Sequence, residues 1–186
     1  MRDLTGAPVR KYLSSDSDFA NVIRNAISAG QPVLAVPKQE AISLGLNPNH
    51  SFAVINCKSN GGLELRNSWG TLEERSKLSI SKEGVFELSS NQTRDFISHV
   101  MVAQTNNSWS STTIESRHKT GFYSTFSFKV RNDTRGFFTL SQWDERLFPV
   151  NSYEYSPVRM IIQKKNSDDT ATYVNAGFSS GRNLEV

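Results

Sequence analysis

Two short apolar runs separated by a glycine-rich segment constrain the fold of this chain more than any other feature. Residues 52–55 are apolar, residues 63–65 are Leu63-Glu64-Leu65, and Asn60-Gly61-Gly62 lies between the two runs. Asparagine and glycine adopt positive φ at low cost, which a tight turn between antiparallel strands requires. The pattern therefore predicts a β-hairpin that turns near Ser59.

The predicted hairpin brings a histidine and an asparagine together at its open end. His50 precedes the first strand and lies opposite or diagonal to Asn67, which follows the second strand. Because side chains alternate between the two faces, His50 shares a face with Phe52, and Asn67 shares a face with Leu65. Such a pair suits a cysteine peptidase, in which the imidazole activates a thiol and an amide carbonyl accepts the other ring N–H.

Three short motifs carry a family resemblance. They are Asn49-His50-Ser51-Phe52-Ala53-Val54, then Arg66-Asn67-Ser68-Trp69-Gly70, and the opening Asp3-Leu4-Thr5-Gly6. They resemble the histidine-bearing strand, the asparagine-bearing turn and the Asp-x-Thr-Gly-Gly element in the second half of the calpain catalytic core. The resemblance covers residues 1 to about 105.

The calpain resemblance implies a role for each residue of the site. His50 would act as the general base and thiolate partner, Asn67 would orient it, and Trp69 would shield their contact from water. In calpains the nucleophilic cysteine lies in an upstream half, which these 186 residues do not contain. The chain is therefore expected to be a fragment of a calpain-like endopeptidase that acts on protein or peptide substrates. It is expected to be inactive without its cysteine-bearing half.

The elements predicted around the hairpin favour a mainly β (α+β) fold. Helical periodicity predicts a helix over residues 16–28, and apolar runs predict strands over residues 32–36 and 85–88. Residues 93–102 fit either a helix or a strand. By the resemblance, residues 1–110 form a papain-like second catalytic subdomain, which is a β-barrel-like sheet with a few helices.

A polar stretch over residues 106–113 marks a predicted domain boundary, after which strand-like runs recur. The turns between these runs predict an antiparallel β-sandwich, and the runs are residues 122–130, 136–142, 158–163 and 172–174. Gln142-x-Asp144-x-Arg146 resembles the β-sandwich that follows the calpain core. Residues 111–186 are expected to form part of such a sandwich, with Trp143 and Phe148 packed inside it.

Composition and charge narrow the setting of the chain. The single cysteine, Cys57, favours a reducing compartment, and no apolar run approaches the roughly 20 residues of a membrane span. The first residues lack the apolar region of a secretory signal, so the cytoplasm is expected. The net charge is only +3 and the Lys and Arg residues are scattered, which argues against nucleic acid as a partner.

The remaining thiol and imidazoles have no catalytic pattern around them. Cys57 lies at the far end of its predicted strand from His50, and we expect it to be an inert thiol. His99 and His118 have no partner motif, and we expect them to be structural or exposed.

Departures from the calpain pattern keep alternatives open. Ser68 stands where calpains have proline, and Asn-Ser-Trp-Gly is the papain-family form, so a papain-family remnant is one alternative. A non-catalytic, calpain-like binding or regulatory module is another. Ca²⁺ is implied by the resemblance only, because Ca²⁺ takes about six to eight oxygen ligands, whereas the acidic residues after the Trp-Gly turn are just Glu73, Glu74 and Glu83. No other cofactor and no metal ligand are predicted.

Overall fold

The computed structural model describes residues 5–70, 76–105, 108–117, 121–130, 136–143, 145–180 and 183–185. The chain divides into two compact units, residues 1–111 and 112–186. Some residues singled out in the sequence lie outside the described ranges, namely Asp3, Leu4, Glu73, Glu74, His118 and Asp144. Within the described ranges, no helix has both the length and the hydrophobicity that a membrane crossing requires.

The first unit is built on one six-stranded antiparallel sheet. Its strands are β1 (Val9–Leu13), β2 (Val33–Pro37), β3 (Phe52–Cys57), β4 (Leu63–Arg66), β5 (Val85–Leu88) and β6 (Ile97–Ala103). Their order across the sheet is β1-β6-β2-β3-β4-β5. Because β1 and β5 remain edges among the described strands, the sheet is open rather than barrel-like. The predicted mainly β fold with a few helices is confirmed.

The helices that the structure describes in the first unit are few and short. They are α1 (Phe19–Ser28), α2 (Ser90–Phe96) and a 3-10 helix over Gln39–Leu44. α1 begins later than its periodicity predicts, because the Asp16 carboxylate accepts the Leu13 N–H at 2.9 Å and holds a turn there. Residues 93–102 contain the end of α2 and most of β6, so this stretch is part helix and part strand.

The hairpin of β3 and β4 forms as predicted. Gly61 in its turn has a φ of +88°, in agreement with the Asn-Gly-Gly segment. Val54 pairs with Leu65, and the register then shifts between Val54 and Asn56. Ile55 is not paired with a residue of β4, and its side chain is 40% exposed. This irregularity lies toward the turn, so the pairing next to the open end of the hairpin is regular.

One face of the sheet packs with α1 into a hydrophobic core. The largest fully buried side chains are Phe52, Phe86, Ile23, Leu46, Leu63, Leu65, Leu88, Ile97, Val100 and Val102. The rings of Phe52 and Phe86 meet edge to face, with centroids 5.2 Å apart. Because Phe52 is the first residue of β3, the core extends to the open end of the hairpin.

The described residues of the second unit form two two-stranded antiparallel sheets. β7 (Thr139–Ser141) pairs with β10 (Asn183–Glu185), and β8 (Val158–Lys165) pairs with β9 (Ala171–Ser179). The predicted strand over residues 122–130 is wrong, because these residues have no regular secondary structure. Alternating apolar residues form a strand only when a neighbouring backbone completes the ladder, and no described strand pairs with them. The partial β-sandwich stays a prediction.

Two aromatic residues of the second unit differ in burial from what a packed sandwich predicts. Trp143 is 62% exposed and Phe148 is 37% exposed. Phe148 instead stacks on Tyr153, with ring centroids 4.4 Å apart. The expected burial of Trp143 is therefore wrong, and Phe148 packs locally against a neighbouring ring.

Candidate active site

His50 and Asn67 meet at the open end of the β3–β4 hairpin. His50 lies just before β3, at the end of a turn in which its N–H donates to the Asn47 carbonyl at 3.1 Å. Asn67 directly follows β4, and its N–H donates to the Gly84 carbonyl at 2.8 Å. Nε2 of His50 lies 2.9 Å from Oδ1 of Asn67. The two residues that the hairpin predicts as neighbours are therefore in direct hydrogen-bond contact.

The side-chain carbonyl of Asn67 has two donors, and this fixes the tautomer of His50. Oδ1 accepts the backbone N–H of Trp69 at 3.1 Å and also faces Nε2 of His50. A backbone N–H can only donate, so the Asn67 atom that it meets is the amide oxygen. An oxygen cannot donate to the imidazole, so Nε2 of His50 carries the hydrogen. In the neutral ring, this leaves the lone pair on Nδ1.

Trp69 covers one face of the imidazole. The centroids of the Trp69 and His50 rings are 4.1 Å apart, and the ring planes differ by 28°. The indole is 63% exposed, whereas Asn67 is only 3% exposed. The acceptor side of the His50–Asn67 contact is therefore buried, and the indole covers one face of the donor ring.

Phe52 supports the imidazole from the hydrophobic core. Its ring meets the His50 ring edge to face, with centroids 4.8 Å apart and an interplanar angle of 86°. Phe52 is 1% exposed, so it is a fixed support and not a surface contact. His50 is thus held by an amide at its ring edge, an indole on its face and a phenyl ring beneath it.

The arrangement leaves one nitrogen of His50 available for proton transfer. In the part of the chain that the structure describes, its ring makes a hydrogen bond through Nε2 only. An imidazole whose Nε2–H is fixed can accept a proton on Nδ1 and return it during a reaction. The Asn67 amide is neutral, so it orients the ring without cancelling the charge of the imidazolium.

Cys57, the one cysteine of the sequence, lies at the other end of β3. It is 5% exposed and pairs with Leu63 beside the hairpin turn. At a strand rise of about 3.3 Å per residue, roughly 20 Å separate it from His50. Burial raises the pKa of the Cys57 thiol, and the charge of the nearby Arg24 opposes this with a smaller effect. Cys57 is therefore protonated at neutral pH and lies too far from His50 to act with it.

In the described part of the chain, His99 and the acidic residues form no second site around His50. His99 lies in β6, where its Nδ1 is 3.1 Å from the Ser98 hydroxyl. Burial, and then the charge of Lys11, lowers the pKa of His99. Among the residues that the structure describes, no group of three or more His, Cys, Asp or Glu is placed to hold a metal ion.

Two contacts of the site are not evident from the sequence. Phe52 touches the His50 ring directly, and the Gly84 carbonyl accepts the Asn67 N–H. The second contact depends on how β5 pairs with β4, which residue spacing alone does not give. Gly84 before an apolar run is a turn signal, but it does not say which strand that run pairs with.

No protein-family model matches this sequence. A search of curated proteins finds no match either. The family of this chain is therefore a proposal, which depends on the sequence motifs and on the geometry of the His50–Asn67 pair.

Proposed function

We propose that this chain is part of a calpain-like cysteine endopeptidase, and that it supplies the histidine and asparagine of a Cys-His-Asn triad. The observation that carries the proposal is the contact of 2.9 Å between Nε2 of His50 and Oδ1 of Asn67. The amide that holds the imidazole is itself fixed by the Trp69 N–H. Among the residues that the structure describes, the other ring nitrogen of His50, Nδ1, has no hydrogen-bond partner, which agrees with the open nitrogen that a general base needs.

The proposed reaction uses a thiol from polypeptide outside these residues. Nδ1 of His50 takes the thiol proton, which gives a thiolate and an imidazolium. The thiolate sulfur bonds to the carbonyl carbon of the scissile peptide, and the imidazolium returns its proton to the leaving amine. Water then hydrolyses the thioester with His50 again as base, which regenerates the thiol.

The proposed roles of Asn67 and Trp69 follow from their contacts. A neutral amide orients the ring through both charge states, whereas a carboxylate would neutralise the imidazolium that the thiolate needs as its partner. The Trp69 ring, at 4.1 Å, presents a π-face to the imidazolium and favours its charge. Asn67 and Trp69 would therefore prepare His50 and take no part in bond making.

Several features favour the calpain family over the papain family as the source of this site. The Asp-x-Thr-Gly opening resembles the calpain element and not a papain one. A second unit with β-strands follows the first, as the β-domain follows the catalytic core in calpains. Protein or peptide substrates, a cytoplasmic setting and optional Ca²⁺ belong to the proposal.

The proposal is tested by expressing these residues together with the reading frame that precedes them. We expect that frame to encode a cysteine at a helix start in a Gly-x-Cys-Trp-like context. That cysteine should react with a thiol-directed peptidase inhibitor, and the product should hydrolyse an unfolded protein substrate. The 186-residue chain alone is the control, and its Cys57 should show no rapid labelling, because the thiol is buried.

Two results would contradict the proposal. One is an upstream frame that stops without such a cysteine, and the other is labelling that His50→Ala leaves unchanged. The first result would favour the alternative of a non-catalytic module that binds peptides at the same end of the hairpin. A pull-down with an immobilised unfolded protein, in which Trp69→Ala weakens retention, would then support that binding role.

A further inference from the structure

The turn that precedes β5 is bonded directly to the backbone around Asn67. The Gly84 carbonyl accepts the Asn67 N–H at 2.8 Å, and the Glu83 carbonyl accepts Nε–H of Arg66 at 3.3 Å. Two consecutive carbonyls of the turn thus meet two consecutive residues at the end of β4. The backbone that carries the amide partner of His50 is therefore held by this turn as well as by β4.

Gly84 has no room for a side chain at this contact. Its φ is +78°, and a Cβ added there would lie 2.7 Å from the Asn67 carbonyl oxygen and 2.9 Å from Cα of Gly70. The same Asn67 oxygen accepts the Gly70 N–H at 3.0 Å. A methyl group at this position would push against the hydrogen bond that closes the Asn67–Gly70 turn, which also carries Trp69.

Ser81 fixes the shape of the turn that presents the Gly84 carbonyl. Its Oγ accepts the N–H groups of Glu83 at 3.2 Å and Val85 at 3.1 Å. Its carbonyl accepts the Gly84 N–H at 3.0 Å, and its own N–H donates to the Val85 carbonyl at 2.8 Å. These four hydrogen bonds connect Ser81 to Glu83, Gly84 and Val85 within one turn, so the position of the Gly84 carbonyl is fixed.

We propose that Gly84 is a positioning residue for the His50–Asn67 pair. Its carbonyl holds the Asn67 backbone, and the two backbones lie so close that no side chain fits at position 84. The close approach of the two backbones fixes where Asn67 stands, and hence where Oδ1 meets Nε2 of His50. The inference rests on the proposed function for its catalytic meaning. Its test measures the geometry of the pair and not turnover, so the inference and the proposed function can fail separately.

The test compares Gly84→Ala with Gly61→Ala in the 186-residue chain by NMR. Gly61 also has a positive φ, of +88°, but the nearest atoms to an added Cβ there would be the Cβ atoms of Ala20 and Ser90, both at 3.9 Å. It therefore reports the strain of alanine at positive φ without the clash. The readout is the rate at which the Nε2–H proton of His50 exchanges with water. We expect about tenfold faster exchange in Gly84→Ala and the wild-type rate in Gly61→Ala.

Each outcome decides the proposal. A folded Gly84→Ala chain with wild-type exchange overturns it, and so does an equal acceleration in Gly61→Ala. If Gly84→Ala does not fold, Ser81→Ala decides, because it removes the one hydroxyl oxygen that accepts two N–H groups of the turn and adds no atom. Faster His50 exchange in folded Ser81→Ala supports the positioning role of the Gly84 turn, and an unchanged rate overturns it.

Discussion

Replacing His50 with alanine is expected to abolish turnover in the enzyme that contains both halves of the catalytic core. General-base catalysis contributes about 10²- to 10⁴-fold to a reaction rate. Loss of the imidazole also removes the cation that keeps the sulfur as a thiolate. We therefore expect kcat/KM for hydrolysis of a peptide substrate to fall by at least about 10³-fold. The measurement is the initial rate at several substrate concentrations, at equal amounts of folded enzyme.

Asn67→Ala should reduce turnover less than His50→Ala does. In that variant the imidazole remains and keeps its ring contacts with Trp69 and Phe52. His99→Ala is the matched control, because His99 lies in β6, two strands from β3 in the sheet, and its ring contacts the Ser98 hydroxyl. Near-wild-type rates in both His50→Ala and Asn67→Ala would refute the assignment of the site.

Truncation of Phe52 to alanine should cost about 3 to 5 kcal/mol of the free energy of unfolding. Phe52 is 1% exposed, and its ring contacts both Phe86 in the core and His50 at the site. Loss of the Phe52 ring would leave a cavity and would remove its edge-to-face contacts with Phe86 and His50. Urea unfolding gives the loss from the midpoint and slope of the transition.

The control for Phe52→Ala lies in the same strand. Ile55→Ala removes an apolar side chain that is 40% exposed and lies at the register shift of β3. We expect a loss below about 1 kcal/mol, as for most surface substitutions. Trp69 can report the transition alone if Trp109 and Trp143 are replaced by phenylalanine. Equal losses in the two variants would contradict the account of the core.

The parts of the fold that local rules decide were predictable from the sequence. The Asn-Gly-Gly turn and the alternation of Phe52 and Val54 with exposed residues define the β3–β4 hairpin. A hairpin fixes which residues meet at its open end, so the neighbourhood of His50 and Asn67 followed from spacing alone.

Features that depend on long-range pairing were not predictable in the same way. The stretch over residues 122–130 has the alternation of a strand but no described partner, so it forms none. The contact between Gly84 and Asn67 arises because β5 pairs with β4, and no local pattern around Asn67 indicates it. The irregularity at Ile55 likewise reflects how two particular strands fit together.

The proposed site depends most on the hydrogen bond between His50 and Asn67. Proton NMR of the imidazoles in the unmodified chain tests this bond directly. With three histidines in the sequence, the His50 signal is assigned by its loss in His50→Ala. We predict a slowly exchanging proton on Nε2 of His50, close in space to the Trp69 indole, which becomes fast in Asn67→Ala. A hydrogen on Nδ1 of the neutral ring, or an Nε2–H that exchanges equally fast in both chains, would contradict the account.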